Sequence, residues 1–367
     1  MKITALELTP VRTHREMGRR APSDPEPAES RHVVVQLHTD AGVTGLGEMS
    51  DVPWDLDAGS AVRLQAALEP LLLGADALQR GPLLEELSRH PWDHQVLCGI
   101  DMAVHDAVAS QLGVSLATLL GGAFRDRVPF AYPLSCCRDE ADVAANLDRV
   151  ERRLGQGHGA FRYYFGMDLD CDESLLDRAR SRWGDSLTLT ALDASGRFSP
   201  DDAVAALKRL APFGPAVFES PVQGRHRAPA EDFLAVKAEI AVPISEHTAD
   251  EATALGLARS GTVDVFNTGL GYAGIEPCRR TFAMARQFGL RTLMGSTVEM
   301  SIGTAARVHV AAATANLDHG CYMAGPLVYH EDVTVEPVRY EEGQVLLPDG
   351  PGLGVELDRE RLRALRI

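Results

Sequence analysis

The sequence predicts an α/β chain whose larger part is a β/α barrel, and two observations carry that expectation. From about residue 128 to 320, short apolar runs alternate with amphipathic stretches. AFRYYF, LTLTALD, PAVFES, VPISEH, VDVFNTG and LRTLMGS read as buried parallel strands. FAYPLSC before them and a last run near residue 320 bring the set to about eight, the number a closed barrel needs. The second observation is a series of acids. Asp193, Glu219 and Glu246 each close one of these runs, 26 and 27 residues apart, room for one crossover helix and its loops in each gap.

Carboxylates at the C-terminal ends of successive parallel strands converge on one mouth, where barrels carry their chemistry. Taken singly, each acid reads equally well as a solvated loop residue or a helix cap. Three in step point to a site, and hard oxygen ligands without a thiolate suit Mg²⁺ or Mn²⁺ better than zinc.

At 367 residues the chain exceeds one typical core, which favours two domains or a barrel with an appendage. Its 45% hydrophobic and 24% charged residues are an ordinary globular balance. A formal net charge of −16 argues against binding nucleic acid or an anionic membrane, since the long-range field repels both. Six cysteines, with Cys136 and Cys137 adjacent, show no CxxC spacing and read as reduced thiols of a cytoplasmic protein. The opening MKITALELTPV lacks a basic-then-apolar signal, and no run approaches about 18 apolar residues, so no membrane segment is expected.

Ahead of the barrel, ITALELTPV and HVVVQLHTDAGVTGLGE alternate as strands do. Between them REMGRRAPSDPEPAES reads as a loop, to which Arg12, Arg15, Arg19 and Arg20 lend local positive charge suited to an anionic substrate. Helical spacing runs from Asp57 to about Leu87. Then VLCGIDMAVHDAVASQLGVSLATLLGGAFRDRVPFAY places Ile100, Val104, Ala107, Val108 and Leu112 on one helix face. It stops at Gly113 and restarts briefly before Gly121 and Gly122.

This last stretch resembles the segment of the enolase superfamily that joins its capping domain to its barrel. Asp101, Ala103 and Asp106 fill an Asp-x-Ala-x-x-Asp pattern, Leu119 to Gly122 its Leu-Leu-Gly-Gly, and Arg125 to Val128 its Arg-Asp-x-Val. TDAGVTGLGE resembles the family's N-terminal hairpin, and GPLVYHEDVTVEPVRYEEGQVLLPDGPGLGVELD its C-terminal return, so the likeness spans the chain. It implies a member of the mandelate racemase/muconate lactonizing type. The domains would be an α+β capping domain over residues 1–125, a (β/α)8-type barrel over 126–320, and a C-terminal segment over 321–367 returning to the cap. By the same resemblance Asp193, Glu219 and Glu246 are the ligands of Mg²⁺, with Mn²⁺ an alternative. The ion would hold the enediolate formed when a small carboxylate substrate loses its α-proton. A cation is needed because that proton is so weakly acidic.

The bases are where the sequence departs from the pattern. Muconate-lactonizing relatives carry Lys-x-Lys on the second barrel strand, where this chain has Arg162 and Tyr164. Their sixth-strand lysine is replaced by Thr268 or Gly269, and the seventh-strand His of mandelate racemase relatives by the Ser296 to Glu299 region. Tyr164 is the first candidate base. Ordinarily only about 0.1% ionised at pH 7, it would be favoured as phenolate by a neighbouring cation such as Arg162. That pair resembles the mannonate-dehydratase branch. His247 is the second: strand alternation turns it away from the site if Glu246 is a ligand, and into the site if the register moves by one. Glu299 is the third, as acid or substrate clamp. Asp250 reads as a helix-start acid, Asp264 as a pre-strand loop acid, and Cys136 as an inert buried thiol.

One-sided base machinery favours β-elimination of water from a hydroxy acid, which needs a base and an acid but no second base on the opposite face. The alternatives are a racemase, epimerase or cycloisomerase with unconventional bases, and a non-catalytic metal-binding relative. The loops over residues 13–30 and 51–59, with their arginines and Trp54, suggest an acidic substrate with some apolar surface. Relatives' habits imply a homo-oligomer.

Overall fold

The computed structural model describes residues 1–16, 29–52, 54–272 and 274–367. Arg19 and Arg20 lie outside these residues. The N-terminal part is a three-stranded antiparallel sheet of β1 (Ile3–His14), β2 (Glu29–Thr39) and β3 (Thr44–Met49). It is covered by α1 (Ala58–Leu72), α2 (Arg80–Ser88) and α3 (His94–Gln111), and followed by the short α4 (Leu116–Leu119). The helical spacing from Asp57 onward resolves into two helices. Asp57 and Ser60 form a reciprocal capping box at the start of α1, and Gly74 at φ +80° follows its end. Arg12 lies within β1 rather than in the loop. Arg15 is buried, with Nη1 3.7 Å from Asp51 Oδ2.

Small residues let α3 lie directly on β3. A Cβ on Gly45 would fall 2.0 Å from the carbonyl oxygen of Ala103, and one on Gly47 2.0 Å from that of Gly99. Each acid of the Asp-x-Ala-x-x-Asp pattern then ties two parts of the chain together. Asp106 accepts from the backbone N–H of Leu46 on β3 and from that of Leu353 in the C-terminal tail, both at 2.7 Å. The Asp101 carboxylate accepts from the N–H of Ile275, and His105 Nδ1 lies 2.6 Å from its Oδ1. Glu48, the last charged residue of β3, is fully buried and accepts from the N–H groups of Met300 and Gly303 at 2.9 and 2.8 Å.

After β4 (Arg127–Pro129) the chain alternates as expected: β5 (Tyr132–Leu134), α5 (Glu140–Gly155), β6 (Ala160–Tyr164), α6 (Leu169–Trp183), β7 (Thr188–Asp193), α7 (Pro200–Leu210) and β8 (Val217–Glu219). It continues through α8 (Ala230–Glu239), β9 (Ile244–His247), α9 (Glu251–Ser260), β10 (Val265–Thr268), α10 (Ile275–Gln287), β11 (Arg291–Met294) and α11 (Ser301–Ala312). Strands β5 to β11 form one parallel sheet in chain order. The ring closes through residues 321 and 322: Ala131 N–H donates to Cys321 O at 2.7 Å, and Tyr322 N–H to Met294 O at 3.0 Å. This is the eighth position expected near residue 320. Asp250 caps α9 through the N–H of Thr253, and Asp264 accepts from Ile244 N–H ahead of β10, as read from the sequence. Beyond α12 (Gly325–Val328), the hairpin of β12 (Tyr340–Glu341) and β13 (Gln344–Leu346) pairs with β4, and α13 (Arg359–Leu365) returns to β1.

His309 of α11 sits at the junction of these parts, wholly buried. Its Nδ1 accepts from Ala117 N–H at 3.2 Å, so its Nε2 carries the proton and donates to Leu353 O at 3.1 Å. Burial pushes its pKa down to about 4. The unfolded chain therefore takes up this proton first as pH falls. The contribution is fully present above the ordinary imidazole value near 6.5, and is lost progressively as pH drops toward 4. Chemical denaturation across pH is expected to show wild type losing up to about 3 kcal/mol relative to His309→Gln between those limits. A pH-independent difference would contradict this placement.

Candidate active site

The pleat of the barrel strands decides which side chains share the interior. Ala191, Val217, Val265 and Leu293 pack together inside the barrel, so side chains two residues further along β7, β8 and β10 face the mouth. These are Asp193, Glu219 and Asn267. Asp193 pairs laterally with Glu219, Glu219 with Ser245, and Asn267 with His247. On β9 the inward residue is therefore His247. Glu246, partnered by Phe266, takes the opposite parity. Its Oε1 accepts from Ser220 Oγ at 2.9 Å and from the N–H of His247 at 2.7 Å, outside the central cluster. The expectation that Glu246 joins Asp193 and Glu219 is thus corrected. The strand runs one residue past Glu246, and the period of two puts the imidazole where the carboxylate was sought. The same argument identifies Asn267, rather than Thr268 or Gly269, as the inward residue of β10.

Arg162 occupies the middle. On β6 it faces inward, as does Tyr164 two residues on. Its Nη2 donates to Glu219 Oε1 at 2.5 Å and also to Asp193 Oδ2, and its Nη1 donates to Tyr164 OH at 2.5 Å. The guanidinium carbon lies 4.4 Å from the ring centre of Tyr164 and 4.3 Å from that of Tyr322, both within reach of cation–π attraction. Burial opposes its charge, but Glu219, Tyr164 and Asp193 outweigh that and hold its pKa well above the ordinary arginine value.

Glu219 Oε1 is the hub. Besides Arg162 it accepts from Asn267 Nδ2 at 3.0 Å, and His247 Nε2 lies 3.1 Å away. Burial alone would raise the carboxyl's pKa. Arg162, His247 and Arg225 instead bring it well below the ordinary glutamate range. His247 Nδ1 is hydrogen-bonded to the hydroxyl of Tyr272, which gives a chain from carboxylate through imidazole to phenol. Burial raises the phenol of Tyr272, and Arg225 offsets part of that. For Glu246 burial dominates, and the carboxyl's pKa is raised despite His247 and Arg225.

Glu299 does not join this centre. It is fully buried, with Oε1 2.7 Å from Arg307 Nη2 and accepting from the N–H and hydroxyl of Thr297, while Oε2 accepts from Ser296 Oγ at 2.7 Å. Both oxygens are committed, so the role of acid or substrate clamp is corrected to a structural one. Cys136 is buried, and burial pushes its thiol up to about 12. Arg225, Asn267, Tyr272 and Tyr322 were not singled out from the sequence. Only Asn267 carried a signal there, its place in the sixth strand.

As arranged, these side chains do not form a divalent-ion site, although Glu219 Oε2 and Glu246 Oε2 are buried without a hydrogen-bond partner. The expected trio is reduced to Asp193 and Glu219, and both are bonded to a guanidinium. Among the described residues no group of three or more His, Cys, Asp or Glu side chains is disposed to hold a metal.

Residues 145–361 match the family model described as Enolase C-terminal domain-like, and residues 24–121 that of the Mandelate racemase / muconate lactonizing enzyme, N-terminal domain. The chain belongs to the enolase superfamily. Muconate cycloisomerase 1 of Rhodococcus opacus is 32% identical over 348 residues, 90% of each chain, and a chloromuconate cycloisomerase of Pseudomonas putida is 28% identical over 340 residues, again 90% of each. The crystal structure of a muconate lactonizing enzyme from Pseudomonas fluorescens complexed with muconolactone superposes with a TM-score of 0.89 at 25% identity, covering 100% of this chain and 99% of that one. These relatives are enzymes acting on small carboxylates, and superfamily members of this type generally use Mg²⁺ or Mn²⁺. No helix among the described residues is long and apolar enough to cross a membrane.

The two glutamates are expected to separate in a thermal or chemical melt. Glu219→Gln leaves Arg162 buried without its main partner and should cost about 3 kcal/mol or more. Glu246→Gln, at a carboxyl that burial already drives toward its neutral form, should change stability by about 1 kcal/mol or less. Equal losses would restore Glu246 to the central cluster.

Proposed function

We propose that this chain withdraws the α-proton of a small organic acid, and that its overall reaction is loss of water from a hydroxy acid. The observation that carries the reading is that a base and an acid on separate strands, Tyr164 against Arg162 and His247 against Glu219, flank one buried ion pair. Tyr164 comes from β6 and His247 from β9, with β7 and β8 between them.

Tyr164 is the base. The guanidinium against its hydroxyl and over its ring supplies the positive field that favours phenolate. The phenolate takes the α-proton, and the electrons of the broken C–H bond enter the carboxylate as an enediolate, whose charge Arg162 and Arg225 face. Collapse of the enediolate breaks the β C–O bond. His247, oriented by Tyr272 and Glu219, gives its proton to the departing hydroxide, which leaves as water. The electrons end in the new C=C bond, and the proton held by Tyr164 returns to solvent.

A second reading, cycloisomerisation, is favoured by the identity to muconate and chloromuconate cycloisomerases. There a carboxylate oxygen adds to a C=C bond and the resulting enediolate is protonated at the α-carbon, the first half of the elimination run backward. Replacement of the lysine pair by Arg162 and Tyr164 weighs against it. The six cysteines, none of them in a disulfide, support a reducing compartment and hence residence in the cytoplasm. Assembly as a homo-oligomer is part of the same proposal.

The test is a panel of hydroxy acids together with cis,cis-muconate, followed by proton NMR in D₂O. Formation of an unsaturated or keto acid, slowed by about 10²- to 10⁴-fold in Tyr164→Phe and His247→Asn with the fold intact, is the expected outcome. A lactone from muconate selects the second reading. Deuterated substrate recovered with inverted configuration indicates epimerisation, and no exchange with any acid rejects catalysis.

A further inference from the structure

We infer that the guanidinium of Arg162 is the resident cation of this barrel mouth and excludes a divalent ion from Asp193 and Glu219. The inference stands on geometry alone and is independent of the reaction proposed above. Arg162 is held from four directions. One terminal nitrogen spans carboxylates of two adjacent strands, the other donates to Tyr164, and the two faces of the plane are covered by Tyr164 and Tyr322. Arginine presents a rigid fork of donors on a weakly hydrated, permanently charged plane, which suits it to a buried position between carboxylates and rings.

A magnesium-like ion needs bare carboxylate oxygens at about 2.0–2.1 Å in near-octahedral array. Asp193 Oδ2 and Glu219 Oε1 instead carry the same guanidinium nitrogen, and Asp193 Oδ1 accepts from the N–H of Ser195 at 2.6 Å, which leaves Glu219 Oε2 as the one bare oxygen of the pair. Glu246 takes the opposite parity on β9, with Oε1 bonded to Ser220 Oγ and the N–H of His247, and His247 stands in its lateral place. Charge balance agrees. Two carboxylates lining the interior are faced by Arg162 and, from the loop after β8, by Arg225, whose own charge is favoured by Asp193, Glu246 and Glu219 against burial. Added to that set, a divalent ion would sit against two fixed cations.

The experiment is Mn²⁺ binding to the full chain, followed by the EPR signal of free Mn²⁺, with thermal melts in Mg²⁺ alongside. Wild type is expected to bind no Mn²⁺ with a dissociation constant below about 1 mM that Asp193→Asn weakens, and Mg²⁺ should leave its melting temperature unchanged. Arg162→Met should gain one bound Mn²⁺ per chain, lost again in Arg162→Met/Asp193→Asn. Wild type binding one Mn²⁺ that Asp193→Asn weakens by about tenfold or more would overturn the inference. A folded Arg162→Met that gains no Mn²⁺ would do so as well. If that variant does not fold, the wild-type and Asp193→Asn titrations decide alone.

Discussion

One oxygen atom organises the barrel mouth. Glu219 Oε1 meets a guanidinium, an amide and an imidazole, contributed by β6, β10 and β9, with no solvent exposure to dilute the interaction. Removing a carboxylate from water is costly, and only close, well-aligned donors repay it. The hub does more than satisfy one acid. Arg162 is positioned by it, Tyr164 is positioned by Arg162, and His247 is fixed between it and Tyr272. A change at any of the strands would be felt through that atom by the others.

The scaffold that brings these strands into register is stitched from a distance. Asp106 joins the N-terminal sheet to the C-terminal tail, Asp101 holds the start of α10, and Glu48 holds the start of α11. Each uses a buried carboxylate to satisfy backbone N–H groups that would otherwise lack partners. The acids of the joining segment are thus mortar rather than chemistry, although in sequence they look no different from those at the strand ends.

That ambiguity marks where the sequence could be read and where it could not. The alternation of apolar runs and amphipathic helices located every barrel strand, because burial on both faces leaves an unmistakable composition. Asp193 and Glu219 were legible for the same reason, since each ends its strand. Glu246 was not, because β9 extends one residue further and a period of two inverts every side chain on a single-residue error. Glu299 lies five residues beyond the end of β11, and its partner Arg307 is two helical turns away, so no spacing announced the pair. Tyr272 and Tyr322 are lone aromatics in irregular segments, and such residues carry no pattern at all. Arg162 was visible as a departure from a lysine pair, yet its role as the cation between the acids follows only from distances.

Tyr322 sits in the segment that closes the ring between β11 and β5, and its ring covers one face of Arg162. Closure of the barrel and completion of the centre are consequently a single event in the life of the chain. Until that late stretch arrives, the charged cluster is open to water along one flank and its groups are solvated separately. A nascent chain emerging N-terminus first carries the two carboxylates and the arginine well before it carries their roof, so the cluster and its cover are completed together, late in synthesis.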